Sequence, residues 1–191
     1  PISLPRPSRQ GERSLEQTLA TRRSVRNFTN ESLTENEISQ LLWAAQGITD
    51  DEGLRTAPSA GALYPLELYV ATSTGLYQYD PVQHALRQDN SADLRKSLYR
   101  AALAQDAVRE APAVFVFTAV YARTARKYGD RAQRYVHIEV GHAAQNLLLK
   151  AVALDLAAVP IGAFDDEQLS KLLKLPGDQS PLYLIPVGHP R

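Results

Sequence analysis

The densest set of chemically capable side chains is Arg22-Arg23-Ser24-Val25-Arg26. Three guanidiniums and a hydroxyl in one short stretch suit a monoester phosphate, because Arg forks onto two anionic oxygens at once. In an extended chain Arg22, Ser24 and Arg26 point to one side and can converge on one anion. By itself the cluster fits a solvated basic turn better. Two other segments stand out for small residues: Pro58-Ser59-Ala60-Gly61-Ala62, and Ile161-Gly162-Ala163 after Val159-Pro160. Such residues fill little core volume, but they let a backbone approach a flat ligand and offer free amide N–H groups to its edge. Each also reads as a tight loop beside a strand. Together, an anion clamp and two close-approach loops point to a planar, phosphorylated cofactor.

Other chemistries have little support. There is no GxGxxG after a strand, no Walker lysine loop, no HExxH and no GxSxG. His84, His137, His142 and His189 lack metal-ligand spacing and read as surface or packing residues. With no cysteine among 191 residues, disulfides, thiolate nucleophiles and iron–sulfur clusters are excluded, so redox chemistry must come from a bound group. Lys plus Arg and Asp plus Glu are both 21, a net charge of zero that argues against nucleic acid or a membrane surface as partner. The cations are 16 Arg and 5 Lys, a bias toward the side chain that grips phosphate. No apolar run is long enough to span a bilayer, and residues 1–13 show no signal-peptide pattern. A cytoplasmic location is expected, with the periplasm after signal removal as the alternative.

The elements that must position these residues follow from periodicity and caps. Residues 1–13 read as an extended, proline-punctuated arm, and 14–191 as one domain. Ser14 followed by Glu16 and Gln17 reads as one helix start, and Thr34 with Glu37 is a capping box that opens a second helix ending at Gly47. Leu66 to Thr72 reads as a strand, and 76–79 with 85–88 as a hairpin. A helix with a Ser91 cap is expected over 91–105, and Ala113 to Val120 is a buried strand. Apolar residues at steps of three or four predict one long helix over 130–157. A short strand or loop at 159–164, a helix at 166–173 and a strand at 182–187 complete an α+β chain. The long helix either runs through the domain or buries a face on another copy.

The runs RRSVRNF (22–28), LLWAAQGIT (41–49), PSAGALYPLELYV (58–70), LYQYDP (76–81), GHAAQNLLLKAVALDL (141–156), VPIGAF (159–164) and LYLIPVGHP (182–190) resemble the nitroreductase superfamily. Within it they look most like the SagB-type, thiazole/oxazole oxidase-like dehydrogenase branch. The resemblance covers about residue 14 to the C-terminus. It implies an α+β fold, a mixed, mainly antiparallel sheet flanked by helices. It also implies a homodimer with FMN at the interface and the long helix at the dimer core. Arg22, Arg23, Ser24 and Arg26 match positions that hold the FMN phosphate and ribityl chain. Arg191 matches a C-terminal phosphate contact, and Gln105 an amide near the pyrimidine edge. Pro58, Ser59, Ala60, Gly61 and Ala62 match a loop reaching the flavin from the partner, and Ile161, Gly162 and Ala163 the segment lining the ring.

Ordinary nitroreductases often carry Asn where Ala62 stands and Glu-Gly where Gly162-Ala163 stands, which favours the dehydrogenase branch. Azoline oxidases of that branch use a Lys-Tyr pair resembling Lys127-Tyr128. A lysine made neutral by burial could remove a carbon-bound proton there, whereas an exposed loop after the strand is the structural alternative. The function implied is an FMN-dependent oxidoreductase that transfers hydride at N5 and takes electrons from NAD(P)H or an organic donor. A flavin-binding protein without turnover is the alternative.

Overall fold

In the computed structural model, which describes residues 1–191, two capping boxes start the first helices. Ser14 and Gln17 open α1 (Leu15–Thr21), and Thr34 and Glu37 open α2 (Glu35–Gln46), each pair exchanging side-chain and backbone bonds. The chain enters through β1 (Ile2–Ser3). After α2 come β2 (Leu66–Thr72), β3 (Gly75–Asp80), β4 (Ala85–Asn90), α3 (Arg95–Ala101), α4 (Asp106–Glu110) and β5 (Ala113–Val120). Then follow α5 (Tyr121–Tyr128), α6 (Ala132–Ala153), β6 (Ala157–Ala158), α7 (Asp166–Leu173) and β7 (Gln179–Gly188). The strands form one sheet in the order β1-β4-β3-β2-β5-β7-β6, with every neighbouring pair antiparallel.

Alternation along the central strands sends side chains to two separate cores. Leu68, Val70, Phe115, Phe117 and Ile185 pack against Leu41 and Leu42 of α2 and Val136, Val140 and Leu147 of α6. Tyr69, Ala71, Val114, Val116 and Leu184 pack instead against Leu98 of α3, Val108 of α4 and Leu169 of α7. Strand β5 is covered on both faces, so it reads as a continuous apolar run instead of an alternating one. The α+β class expected from sequence is present, and the sheet, which the resemblance implied to be mixed and mainly antiparallel, is antiparallel at every neighbouring pair.

Four local expectations change. The helix expected over 91–105 is split: Asp93 caps Arg95, and the left-handed residues Leu103 and Ala104 break the chain before α4. The long helix covers Ala132–Ala153, about 33 Å at ~1.5 Å per residue, shorter than the expected 130–157. Residues 121–128 form helix α5, where sequence left a loop. The N-terminal arm contributes an edge strand, tied down where Leu4 N–H donates to His84 O and Ser39 Oγ donates to Pro5 O. His84 reaches Ser39, Tyr79 and the Pro5 carbonyl, a packing role. No helix is long and apolar enough to cross a membrane.

Candidate functional site

The segment after α1 runs along the edge of the sheet. Val25 N–H donates to Ala158 O, Thr29 N–H to His189 O and Arg191 N–H to Asn27 O, and Phe28 bridges Pro190. Phe28 is fully buried and Val25 is half-buried against the same core, while Ser24 and Arg26 on either side of Val25 are exposed. Period-2 alternation therefore turns the polar side chains outward, as the sequence suggested. Arg23 spends its guanidinium on the Ala20 and Arg22 carbonyls. The guanidiniums of Arg22, Arg26 and Arg191 make no hydrogen bond or ion pair within the chain. The fold thus gathers Arg22, Ser24, Arg26 and Arg191 at one corner, with their cationic groups unspent.

Next to this corner, Ile161 exchanges two backbone bonds with Leu184, 2.8 and 3.0 Å long, and is buried. Gly162 and Ala163 leave the sheet edge exposed, and their N–H groups meet no acceptor in the chain. Gly162 faces the ring of Tyr183. Gln105 anchors this segment: its side-chain amide donates to Ala163 O at 2.8 Å and to Ala102 O at 3.0 Å. Its nitrogen is thus spent on backbone, and only its oxygen is free of a partner.

The Pro58–Ala62 segment lies elsewhere, beside the middle of α6. Gly61, Ala62 and Tyr64 all take left-handed backbone angles, with φ of 64°, 52° and 45°. Side chains hold that conformation. Ser59 Oγ accepts from Tyr64 N–H at 3.0 Å and donates to Glu139 Oε2 at 2.6 Å. Arg123 Nη1 donates to Tyr64 O, and its other terminal nitrogen pairs with Glu67. The Arg55 guanidinium stacks 4.4 Å over the Tyr64 ring, and Arg55 N–H donates to its hydroxyl. Lys127 and Tyr128, at the end of α5, close over Gly61, where a Cβ would lie 3.0 Å from the Tyr128 hydroxyl and 3.1 Å from Lys127 Nζ. Tyr128 also meets Tyr135 edge-on at 5.0 Å. Of the two readings of Lys127, this chain has the exposed one, at the end of a helix instead of in a loop.

A profile of the nitroreductase family matches residues 19–189. The chain belongs to the nitroreductase family. A provisionally named nitroreductase of Methanocaldococcus jannaschii is 45% identical over 184 residues, 93% of this chain and 92% of its relative. The crystal structure of another provisionally named nitroreductase, from Ralstonia eutropha JMP134, superposes with a TM-score of 0.92 at 34% identity. It covers 100% of this chain and 89% of that one. The microcin B17-processing protein McbC of Escherichia coli is 28% identical over 163 residues, 78% of this chain and 60% of McbC. That match supports the SagB-type branch within the family. The NADPH:FMN oxidoreductase of Vibrio harveyi, solved with NAD+, shares the fold with a TM-score of 0.70 at 24% identity, over 92% of this chain and 68% of that one.

Sequence reasoning missed two charged residues packed behind the Pro58–Ala62 loop, Glu139 and Arg55. Glu139 is 2% exposed, and one of its carboxylate oxygens has no partner. Burial pushes it up to about 7, although the Ser59 bond and the Arg55 charge pull the other way. Arg55 donates to Gln46 Oε1 while its own Nε is buried without a partner. The available signal was a lone acid inside an apolar helical stretch, Val136 to Val140.

Proposed function

We propose that this nitroreductase-family chain binds FMN between two copies of itself and acts as an FMN-dependent oxidoreductase on a small-molecule substrate. The observation that carries this reading is the corner where the unspent Arg22, Arg26 and Arg191 adjoin the exposed Gly162 and Ala163 amides. Cations for a phosphate and free N–H groups for a ring edge fit a flavin mononucleotide, and in a chain that is neutral overall the gathered arginines make that corner a local anion site. The Vibrio harveyi neighbour, by its description an NADPH:FMN oxidoreductase, is consistent with both partners.

The position of the Pro58–Ala62 loop supports a second copy. Glu139, which holds it, is separated from Ala153 by about 20 Å of helix, and the clamp lies past the C-terminal end of α6, where Val25 pairs with Ala158. A partner's loop over each clamp would complete the site, with the outward α6 face carrying Ile138, Gly141 and His142 at the centre of the dimer. When bound, FMN supplies two-electron hydride chemistry at N5. Arg22, Ser24, Arg26 and Arg191 would neutralise its phosphate, and Gly162 and Ala163 would orient its ring through backbone N–H groups. The Ala60–Ala62 backbone would cover the ring and exclude water. Lys127 Nζ and Tyr128 Oη, carried on the same loop face, would hold or move the substrate proton.

The test is the visible spectrum of the purified protein, followed by anaerobic titration with NADH and NADPH. A yellow protein that bleaches and regains colour with an acceptor is the expected result. A protein that FMN cannot colour overturns the reading. One that is yellow but bleached by no nicotinamide or organic donor reduces it to flavin binding without turnover.

A further inference from the structure

Away from the proposed flavin site, a cavity of about 740 Å³ opens on the sheet face that carries Tyr69 and Leu76, between β2, β3, β4 and the turn from α7 into β7. Its volume lies within the range of small-molecule sites, roughly 300–1,000 Å³. No residue of the arginine corner, the Gly162–Ala163 edge or the Pro58–Ala62 loop lines it.

Two polar side chains more than nine-tenths buried form its inner wall, Tyr69 at 4% and Gln179 at 8% exposure. Behind them Thr118, fully buried, donates its proton to Glu67 O at 3.3 Å. Its oxygen is then left to accept, so Gln179 turns its amide nitrogen inward. That nitrogen donates to Thr118 Oγ1 at 2.5 Å and to Tyr69 Oη at 3.0 Å. Both amide protons are thereby used, and two complementary groups remain. Gln179 Oε1 accepts from nothing in the chain, and the Tyr69 O–H donates to nothing. One hydroxyl of a bound molecule, donating to the first and accepting from the second, satisfies both.

The rim is charged but balanced. Glu67, Asp89 and Asp178 face Arg87, Arg123 and Lys174. Arg123 pairs with Glu67, and Arg87 with Asp89 at 3.0 Å. Gln78 bridges the two pairs, donating to Glu67 at 2.9 Å and accepting from Arg87. Only Lys174 and Asp178, one of each sign, have side chains without an internal bond. An anion would meet three carboxylates for one free cation, and a cation would meet the reverse. Leu76, Val120 and Leu172 add apolar wall for a C–H face.

We infer that this cavity is a second binding site, for a neutral polyhydroxylated molecule of the sugar class, seated by one hydroxyl between Tyr69 Oη and Gln179 Oε1. The inference does not depend on the flavin reading.

The experiment screens D-glucose, trehalose and myo-inositol against the purified protein by saturation-transfer NMR. Glucose 6-phosphate and L-glutamine serve as the anionic and zwitterionic comparisons. At least one neutral polyol should bind with a Kd below ~1 mM and shift the Gln179 side-chain amide in step with occupancy. Tyr69→Phe, which deletes only the free hydroxyl, should weaken that binding by about tenfold. Lys174→Ala with Asp178→Ala, two exposed changes, should alter it by less than about threefold. Binding by no neutral polyol overturns the inference, as does binding in wild type that leaves the Gln179 amide unshifted. Tighter binding of glucose 6-phosphate or L-glutamine, or loss of polyol binding in the Lys174 and Asp178 double variant, also overturns it, because charge would then seat the ligand. If Tyr69→Phe fails to fold, the wild-type Gln179 shift decides.

Discussion

The two halves of the candidate site are built on opposite plans. Along Arg22–Phe28 the backbone is committed to the sheet edge, through Val25 to Ala158 and Asn27 to Arg191, and the guanidiniums of Arg22 and Arg26 are left free. In Pro58–Tyr64 the side chains are committed, Ser59 to Glu139 and Tyr64 to Arg55 and Arg123, and the backbone of Ala60 and Gly61 is left free. The difference matches what each half would hold in the proposed flavin complex. A phosphate is recognised by charge, which only side chains carry, so the backbone can be spent on rigidity. A flat ring is covered best by bare main chain, so rigidity must come from side chains behind it.

The contrast can be broken most directly at the clamp. Arg22→Ala with Arg26→Ala should weaken FMN binding by about 100-fold or more, as expected for losing two charged hydrogen-bonding groups. The melting temperature of the flavin-free protein should hardly move, because neither side chain bonds within the chain. Isothermal titration and a thermal melt check both, and retention of full colour would place the phosphate elsewhere.

At the loop, the contrast sharpens in a different quantity. Lys127→Ala should leave FMN affinity within about twofold of wild type and cut turnover by on the order of 100-fold, the usual scale for a lost proton-transfer group. Parallel measurement of the Kd and of steady-state turnover separates the two. A loss of affinity equal to the loss of turnover would make Lys127 a binding residue.

The smallest expected effect lies behind the loop and concerns stability. The folded Glu139 carboxyl stands at about 7 against an ordinary 4.5. Its stabilising contribution is therefore full below pH 4.5 and lost as pH rises through 7, where the buried group must carry charge. Glu139→Gln should be more stable than wild type at pH 8 by on the order of 1–2 kcal/mol, and the gain should vanish near pH 4.5. Chemical denaturation at several pH values measures the difference. A variant less stable than wild type at pH 8 would mean that the anion is compensated after all.

Much of this architecture is written locally. Ser14 with Gln17 and Thr34 with Glu37 announce helix starts because capping boxes satisfy amides only a few residues away. The β2, β3 and β5 strands show in their β-rich runs, and Arg22, Ser24 and Arg26 in their alternation, because a strand's period needs no distant partner. Other features were hidden. Helix α5 is short and polar on average, so its amphipathic pattern, with Tyr121, Thr124 and Tyr128 on one side, is easily read as a loop. The break between α3 and α4 depends on left-handed Leu103 and Ala104, residues that carry no turn signature.

The amino-acid sequence by itself determined the α+β class, the helix caps, the two small-residue loops and the arginine cluster. Each is a matter of composition or short-range spacing. Only the tertiary structure decided that Arg191 joins Asn27, that Gln105 spends its amide on Ala163, and that Ser59 finds Glu139 80 residues away. Contacts of that separation depend on which strand lies beside which, and a buried acid looks the same in sequence whether its partner is water or a serine hydroxyl.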